Sequence, residues 1–222
     1  MVRSWKRRKT LLLQIERDGK VVMRVPYYTT EGEIRAFFRE KLPWVRKKIE
    51  EKDRRGHSAE CPKKFVEGER FLYLGEYYPL EIREPGKGRN RLALSHGVFF
   101  LDNNCLAKAR DIFIHWYEDR AREIFTERVN FYGRKLGLYP REIRISSAKT
   151  RYGSCTADNK VFFSFRLVMA PYPEIDYVIV HELVHIKIKN HSEHFWRRVE
   201  EAMPEYRKCK KWLRENSAYL DI

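Results

Sequence analysis

Three observations predict an α+β architecture with a β-rich N-terminal lobe. Strand-like alternation dominates the first hundred residues, helical periodicity takes over near residue 108, and two short strands later lead into an unbroken helical segment after Pro173. On this reading residues 1–105 form the β-rich lobe with a helical insert, and residues 106–222 form a second domain. Hydrophobic residues at 43% and aromatics at 14% of the 222 residues supply material for a core and exclude an intrinsically disordered chain.

Taken in order, TLLLQIERDGKVVMRV from Thr10 to Val25 reads as two strands around Asp18-Gly19, closed by Pro26. The segment TTEGEIRAFFREKLPWVRKKIEEKDRR is helical, and Pro43 is expected to break or restart it. Gly56 to Lys64 reads as a loop. From Phe65 to Leu101, short alternating segments punctuated by Gly75, Gly86, Gly88 and Gly97 predict a small antiparallel sheet. A helix follows from Lys108 to Leu136, with Phe113, Tyr117, Ala121, Ile124 and Phe125 on one face and Gly137 as its stop. REIRISSAKTRYGSC then reads as a strand, ADNK as a turn and VFFSFRLV as a returning strand. EIDYVIVHELVHIKI has no breaker before Asn190, Ser192 can cap SEHFWRRVEEA, and Pro204 can open a last helix, PEYRKCKKWLREN.

Lys and Arg outnumber Asp and Glu by 46 to 31, a net charge of +15 that favours polyanionic partners at moderate salt. The same Lys, Arg and Glu richness also describes an ion-paired, solvated surface. No apolar run reaches the ~18 residues of a spanning helix, and none at the start resembles a signal segment. Cys61, Cys105, Cys155 and Cys209 are scattered without a CxxC pair. The expectation is a reduced, cytoplasmic protein with no membrane association.

The chemistry lies in HELVHIKIKNH, from His181 to His191. Residues four apart on a helix share a face, so His181 and His185 can aim both imidazoles at one metal ion. Glu182 falls beside that ion, where a carboxylate can take a proton from a water activated there. A catalytic zinc site takes three protein ligands and keeps one position open, so a third ligand has to come from beyond the helix. His191 and His194 are the candidates; His191 is preferred because His194 should already lie inside the helix capped by Ser192.

The stretch RYGSCTADNKVFFSFRLVMAPYPEIDYVIVHELVHIKIKNHSEHFWRRVEEAMPEYRKCKKWL resembles the YgjP-like family of zinc metallopeptidases, which belongs among the gluzincin-like HExxH proteins. The family carries a WGSC-type strand, a hairpin return, a Pro-led IDYVVVHELxH helix and an NHSxxFW turn. The upstream segments DGKVVMRVP, PWVRKK and LGEYYPL are also similar to its N-terminal half. The resemblance implies a zincin-like fold, a zinc ion on His181, His185 and His191, and Glu182 as general base. Tyr152 stands where the family usually has Trp, and Ser164 where Asn is usual; both departures bear on substrate contacts and strand packing rather than on the metal set.

A peptide or protein substrate is expected, held in part by the Lys149 to Cys155 strand. Arg151 is a candidate contact to a substrate carbonyl or acidic group, with a structural arginine as the competing reading. Tyr206 is a candidate donor to the oxyanion, with a core tyrosine as its competitor. Asn190 and Ser192 shape the turn that delivers His191, and Phe195 and Trp196 are core anchors. Two alternatives keep the metal and change the partner: a nucleotide pyrophosphatase using zinc or magnesium, and a DNA-associated protease. The second rests on a distant similarity to SprT-like proteases, whose zinc ribbon is missing here.

Overall fold

The N-terminal hairpin forms as its turn residues predict. In the computed structural model, which describes residues 2–4, 11–15, 21–54, 63–85 and 91–222, β2 (Leu12–Ile15) pairs antiparallel with β3 (Val21–Pro26), and Ile15 faces Val21. Pro26 ends β3 because it cannot donate to a ladder. On its other side β3 pairs in parallel with β1 (Val2–Ser4), giving the order β1-β3-β2. The helix α1 (Glu31–Arg54) starts at a capping box, in which Thr30 Oγ1 accepts from the Glu33 amide and Glu33 accepts from the Thr30 amide at 2.9 Å. It runs through Pro43 instead of breaking there. Strong helix formers flank the proline on both sides, and Val45 beyond it is buried, which offsets the one lost hydrogen bond. The loop expected from Gly56 lies mostly outside the described residues.

Contacts divide the chain into two units, Met1–Cys61 and Pro62–Ile222, so the division falls well before the boundary near residue 105 that the sequence suggests. The sheet after residue 65 accounts for the shift, because its strands share one core with the helices that follow. That sheet comprises β4 (Arg70–Tyr73), β5 (Glu76–Arg83), β6 (Leu92–Ser95) and β7 (Val98–Asp102) in the order β4-β5-β7-β6. It is mixed rather than antiparallel. The β6–β7 hairpin docks through its second strand, which places β7 parallel to β5.

The long helix α2 (Ala109–Leu136) organises this second unit. It ends where Gly137 takes a left-handed conformation at φ 65°, as the sequence predicts. Phe113 stacks on Phe71 of β4 at 4.2 Å between centroids, and the buried Tyr117 hydroxyl donates to the Leu72 carbonyl. Further along, Phe125 meets Phe163. One helix therefore packs against both the mixed sheet and a second, three-stranded sheet.

The second sheet has the order β8-β10-β9, with β8 (Glu142–Ser146) parallel and β9 (Gly153–Cys155) antiparallel to β10 (Lys160–Ser164). REIRISSAKTRYGSC is thus two strands and a reversal rather than one strand, since its two ends run in opposite directions along β10. The buried Ser164 holds that reversal, donating from its hydroxyl to Ala148 O at 2.7 Å and from its amide to Tyr152 O at 2.8 Å. VFFSFRLV leaves the sheet at Ser164 and continues as a 3-10 turn, Phe165–Met169. Pro171 and Pro173 then set the start of α3 (Tyr172–Val184), followed by α4 (Glu193–Ala202) and α5 (Tyr206–Asn216).

Candidate metal centre

α3 is buried along most of its length. Ile175, Ile179, Val180 and Leu183 lie in the core, the first residues Tyr172 and Pro173 are exposed, and the two histidines at the other end are half-buried. The helix is fixed to α2 by a bidentate pair: Arg128 donates through Nε and Nη2 to the two Asp176 oxygens at 2.6 and 2.5 Å, and Tyr132 donates to Asp176 at 3.1 Å.

Helical geometry ends at Val184, earlier than the expected stop at Asn190. Past it the chain tightens: Ile186 and Lys187 amides reach back only three residues, to Leu183 O and Val184 O. His185 Nδ1 lies 2.9 Å from Ile188 O, which locks the ring against this turn. The early ending shortens the path to the next helix. Lys189 ties the intervening loop to the β9–β10 turn, donating to Thr156 O at 2.9 Å and to Asn159 Oδ1 at 2.7 Å. Asn190 Oδ1 accepts from the Ser192 amide, and Ser192 Oγ caps α4 by accepting from the Phe195 amide. His191 therefore enters from a tethered loop.

The three histidines meet. His191 Nε2 lies 3.2 Å from His185 Nε2 and 3.0 Å from His181 Nε2. Ligand atoms of a tetrahedral metal with bonds of 2.0–2.1 Å stand about 3.4 Å apart, so the seat has the size of such an ion. Proton counting points the same way. A carbonyl only accepts, so His185 carries its proton on Nδ1 and presents a bare lone pair at Nε2. His191 Nε2 has at most one proton for its two neighbours. Converging nitrogens of this kind are stabilised by a shared cation. Burial, then the neighbouring imidazoles and Lys210, push His181 down to about 3, keeping the ring neutral and able to ligate; burial also lowers His185. The Nδ1 of His181 is buried with no protein partner, so only its Nε2 is engaged.

Phe195 forms the floor of the seat, its ring 4.4–4.9 Å from all three imidazoles. Trp196 stacks on His191 at 5.6 Å. His194, the alternative third ligand, lies inside α4 with its ring against Arg197. Glu182 is 5% exposed, and burial raises its carboxyl to about 7 against the opposing charge of Arg151. It lies directly against Gly153, where an added Cβ would fall 2.6 Å from Glu182 Oε1.

Arg151 is exposed just before β9. Tyr206 is buried at the start of α5, its hydroxyl accepting from Arg207 Nε at 3.1 Å. Tyr177 stands between Tyr206 and His181, and Trp196 between Tyr206 and His191. Sequence reasoning did not find Gly153 or Lys189. The glycine has a local signal in YGSC; the lysine has none, because its partners are some thirty residues away. Cys105, Cys155 and Cys209 are free thiols, and no described helix is long and apolar enough to cross a membrane.

A structural comparison finds similarity to the metallopeptidase zymogen of Pyrococcus abyssi abylysin at 22% identity and a TM-score of 0.37, covering 39% of this chain and 89% of that one. No curated protein matches the sequence. The family comparison spans far more: residues 9–216 match YgjP-like, metallopeptidase domain, which takes in the helices and strands that build the histidine cluster. By that match, the chain belongs to the YgjP-like metallopeptidase family.

Proposed function

We propose that this chain is a zinc-dependent peptidase in which His181, His185 and His191 hold the metal and Glu182 is the general base. The observation that carries the proposal is the convergence of three Nε2 atoms, two of the separations being 3.0 and 3.2 Å, one helical step from a buried carboxyl. When bound, zinc supplies Lewis acidity that polarises the scissile carbonyl and makes a water nucleophilic near neutral pH.

The protein's own groups do the rest. Glu182 accepts a proton at a carboxylate oxygen from the attacking water and later passes it to the leaving nitrogen. Burial works to raise the Glu182 carboxyl, the direction that helps one group both take the proton and give it back. Burial favours the neutral form of His181 and His185, and the apolar ring of Phe195 shields the seat on that side. Arg151 contacts the substrate from the lip of β9. Tyr206, whose oxygen accepts from Arg207, packs behind Tyr177 and Trp196, the rings that meet His181 and His191, and so supports the wall of the seat rather than reaching the oxyanion.

The test compares the wild type with Glu182→Gln and His185→Ala, reading zinc content and hydrolysis of an unfolded protein and of nucleoside triphosphates. Glu182→Gln should retain zinc and lose turnover by about 10²–10⁴-fold; His185→Ala should lose the metal. Retained turnover in Glu182→Gln overturns the base assignment. Release of pyrophosphate without peptide cleavage overturns the substrate assignment.

A further inference from the structure

Beside the metal seat, α4 and α5 enclose a groove of about 690 Å³ lined by Trp196, Tyr206, Arg207, Lys210, Lys211 and Arg214. Four cations and two aromatic rings line it, with no acidic side chain among them. Arg207 is paired with Glu200 at 3.4 Å, but among the described residues no acid lies within ion-pair reach of Lys210, Lys211 or Arg214. All four cations are exposed. The groove adjoins the metal seat through one ring: Trp196 stacks on His191 at 5.6 Å and on Tyr206 at 5.4 Å, and Lys210 Nζ sits 4.2 Å from its centroid.

We propose that this groove selects acidic polypeptide segments, reading Asp or Glu side chains on one side of the bond to be cleaved. The inference rests on the peptidase reading of the adjoining site. Three cations along one helix face, with no acid in ion-pair reach among the described residues, form a positive wall that an anionic segment would complement, and a polypeptide in the cleft has to leave the metal seat along some wall. A nucleic acid fits less well. Sequence-tolerant binding of single strands uses free aromatic faces, whereas Trp196 already carries His191, Tyr206 and Lys210, and Tyr206 is buried between Trp196 and Tyr177.

The experiment first measures binding, so that it can be read without turnover. Fluorescence anisotropy with the full-length, zinc-loaded Glu182→Gln protein compares a labelled Glu-rich peptide, the same peptide with Gln at each Glu, a Lys-rich peptide and a single-stranded oligonucleotide. The Glu-rich peptide should bind at least about tenfold more tightly than its Gln counterpart at low salt, the difference shrinking as salt rises. Lys210→Glu with Lys211→Glu should invert the order in favour of the Lys-rich peptide, a gain that misfolding cannot produce. In the otherwise wild-type enzyme the same selectivity should appear in KM rather than kcat. Equal binding of the Glu and Gln peptides, or a preference that survives the charge reversal, overturns the groove assignment. Tight oligonucleotide binding without a Glu preference also overturns it, in favour of nucleic acid. Absence of peptide cleavage in the wild type, with the Glu preference intact, counts against the peptidase reading alone.

Discussion

At Gly153 a hydrogen atom in place of a side chain decides where the candidate base can sit. A methyl group there would come within 2.6–2.9 Å of the Glu182 carboxyl and its Cγ, closer than packed atoms tolerate, so the carboxyl has to move. The backbone at Gly153 has no left-handed strain, so the strand itself can accept alanine. Gly153→Ala should therefore keep the metal and lower kcat by about ten- to a hundredfold, because the base is displaced by roughly an ångström. Zinc analysis beside steady-state peptide hydrolysis checks this; unchanged kcat would mean that Glu182 does not act from this position. The part of the centre legible in the sequence is the part built by local geometry. His181, Glu182 and His185 are fixed by helical spacing, and His191 was separable from His194 because a Ser192 cap can be read locally. Gly153 and Lys189 act through contacts between segments remote in sequence, which spacing does not encode.

Among the neighbours of the helix that carries the motif, α2 makes the broadest contact. Packing supplies most of that contact, and the Arg128–Asp176 pair fixes the register of one helix on the other. The pair is largely out of water, with side-chain exposures of 21% and 11%, and the Asp176 hydrogen bond is the first of the causes that raise Arg128. Arg128→Ala leaves a buried carboxylate with only Tyr132 as partner and should destabilise the fold by about 2–4 kcal/mol. Arg128→Lys should recover only part, since an ammonium cannot reproduce the two parallel bonds. The double variant Arg128→Met with Asp176→Leu should lose less than the sum of the two single changes; denaturant midpoints in a double-mutant cycle measure the difference. At this scale the sequence reading is strongest for α2 and α4, where the period agrees with the Gly137 stop and the Ser192 cap; α5 keeps its period but starts at Tyr206 rather than at Pro204. It fails at Pro43, where flanking propensity carries the helix through, and at the end of α3, where His185 binds a carbonyl in the following turn. The parallel pairings of β5 with β7 and β8 with β10 were not legible, because strand alternation states which face is buried and not which strand lies alongside.

Across the whole molecule, the excess of positive charge makes acid the condition that most threatens the fold. Protonating carboxylates removes the only charges that offset 46 Lys and Arg side chains, and self-repulsion in the compact state grows accordingly. One carboxylate closes the second unit on itself. Asp221, near the end of the chain, accepts from Arg166 Nε at 2.8 Å, and Arg166, only 4% exposed, also donates to Ser147 O at 2.8 Å. Burial works to raise the Asp221 carboxyl, but the Arg166 hydrogen bond, the Ile222 amide and the nearby cations outweigh it and hold the group below the ordinary aspartate range. A folded-state pKa below the unfolded one means that the unfolded chain takes up the proton first. The stabilisation is therefore complete above about pH 4, the ordinary aspartate value, and is lost as pH falls through the lower folded value. Asp221→Asn should be less stable than the wild type at pH 7, because it leaves Arg166 buried without a counter-charge. It should also lose less further stability between pH 5 and the acid end of the transition. Urea midpoints of both proteins at a series of pH values give the comparison: the two curves should converge on acidification, and curves that stay parallel would show that Asp221 contributes no pH-dependent stability.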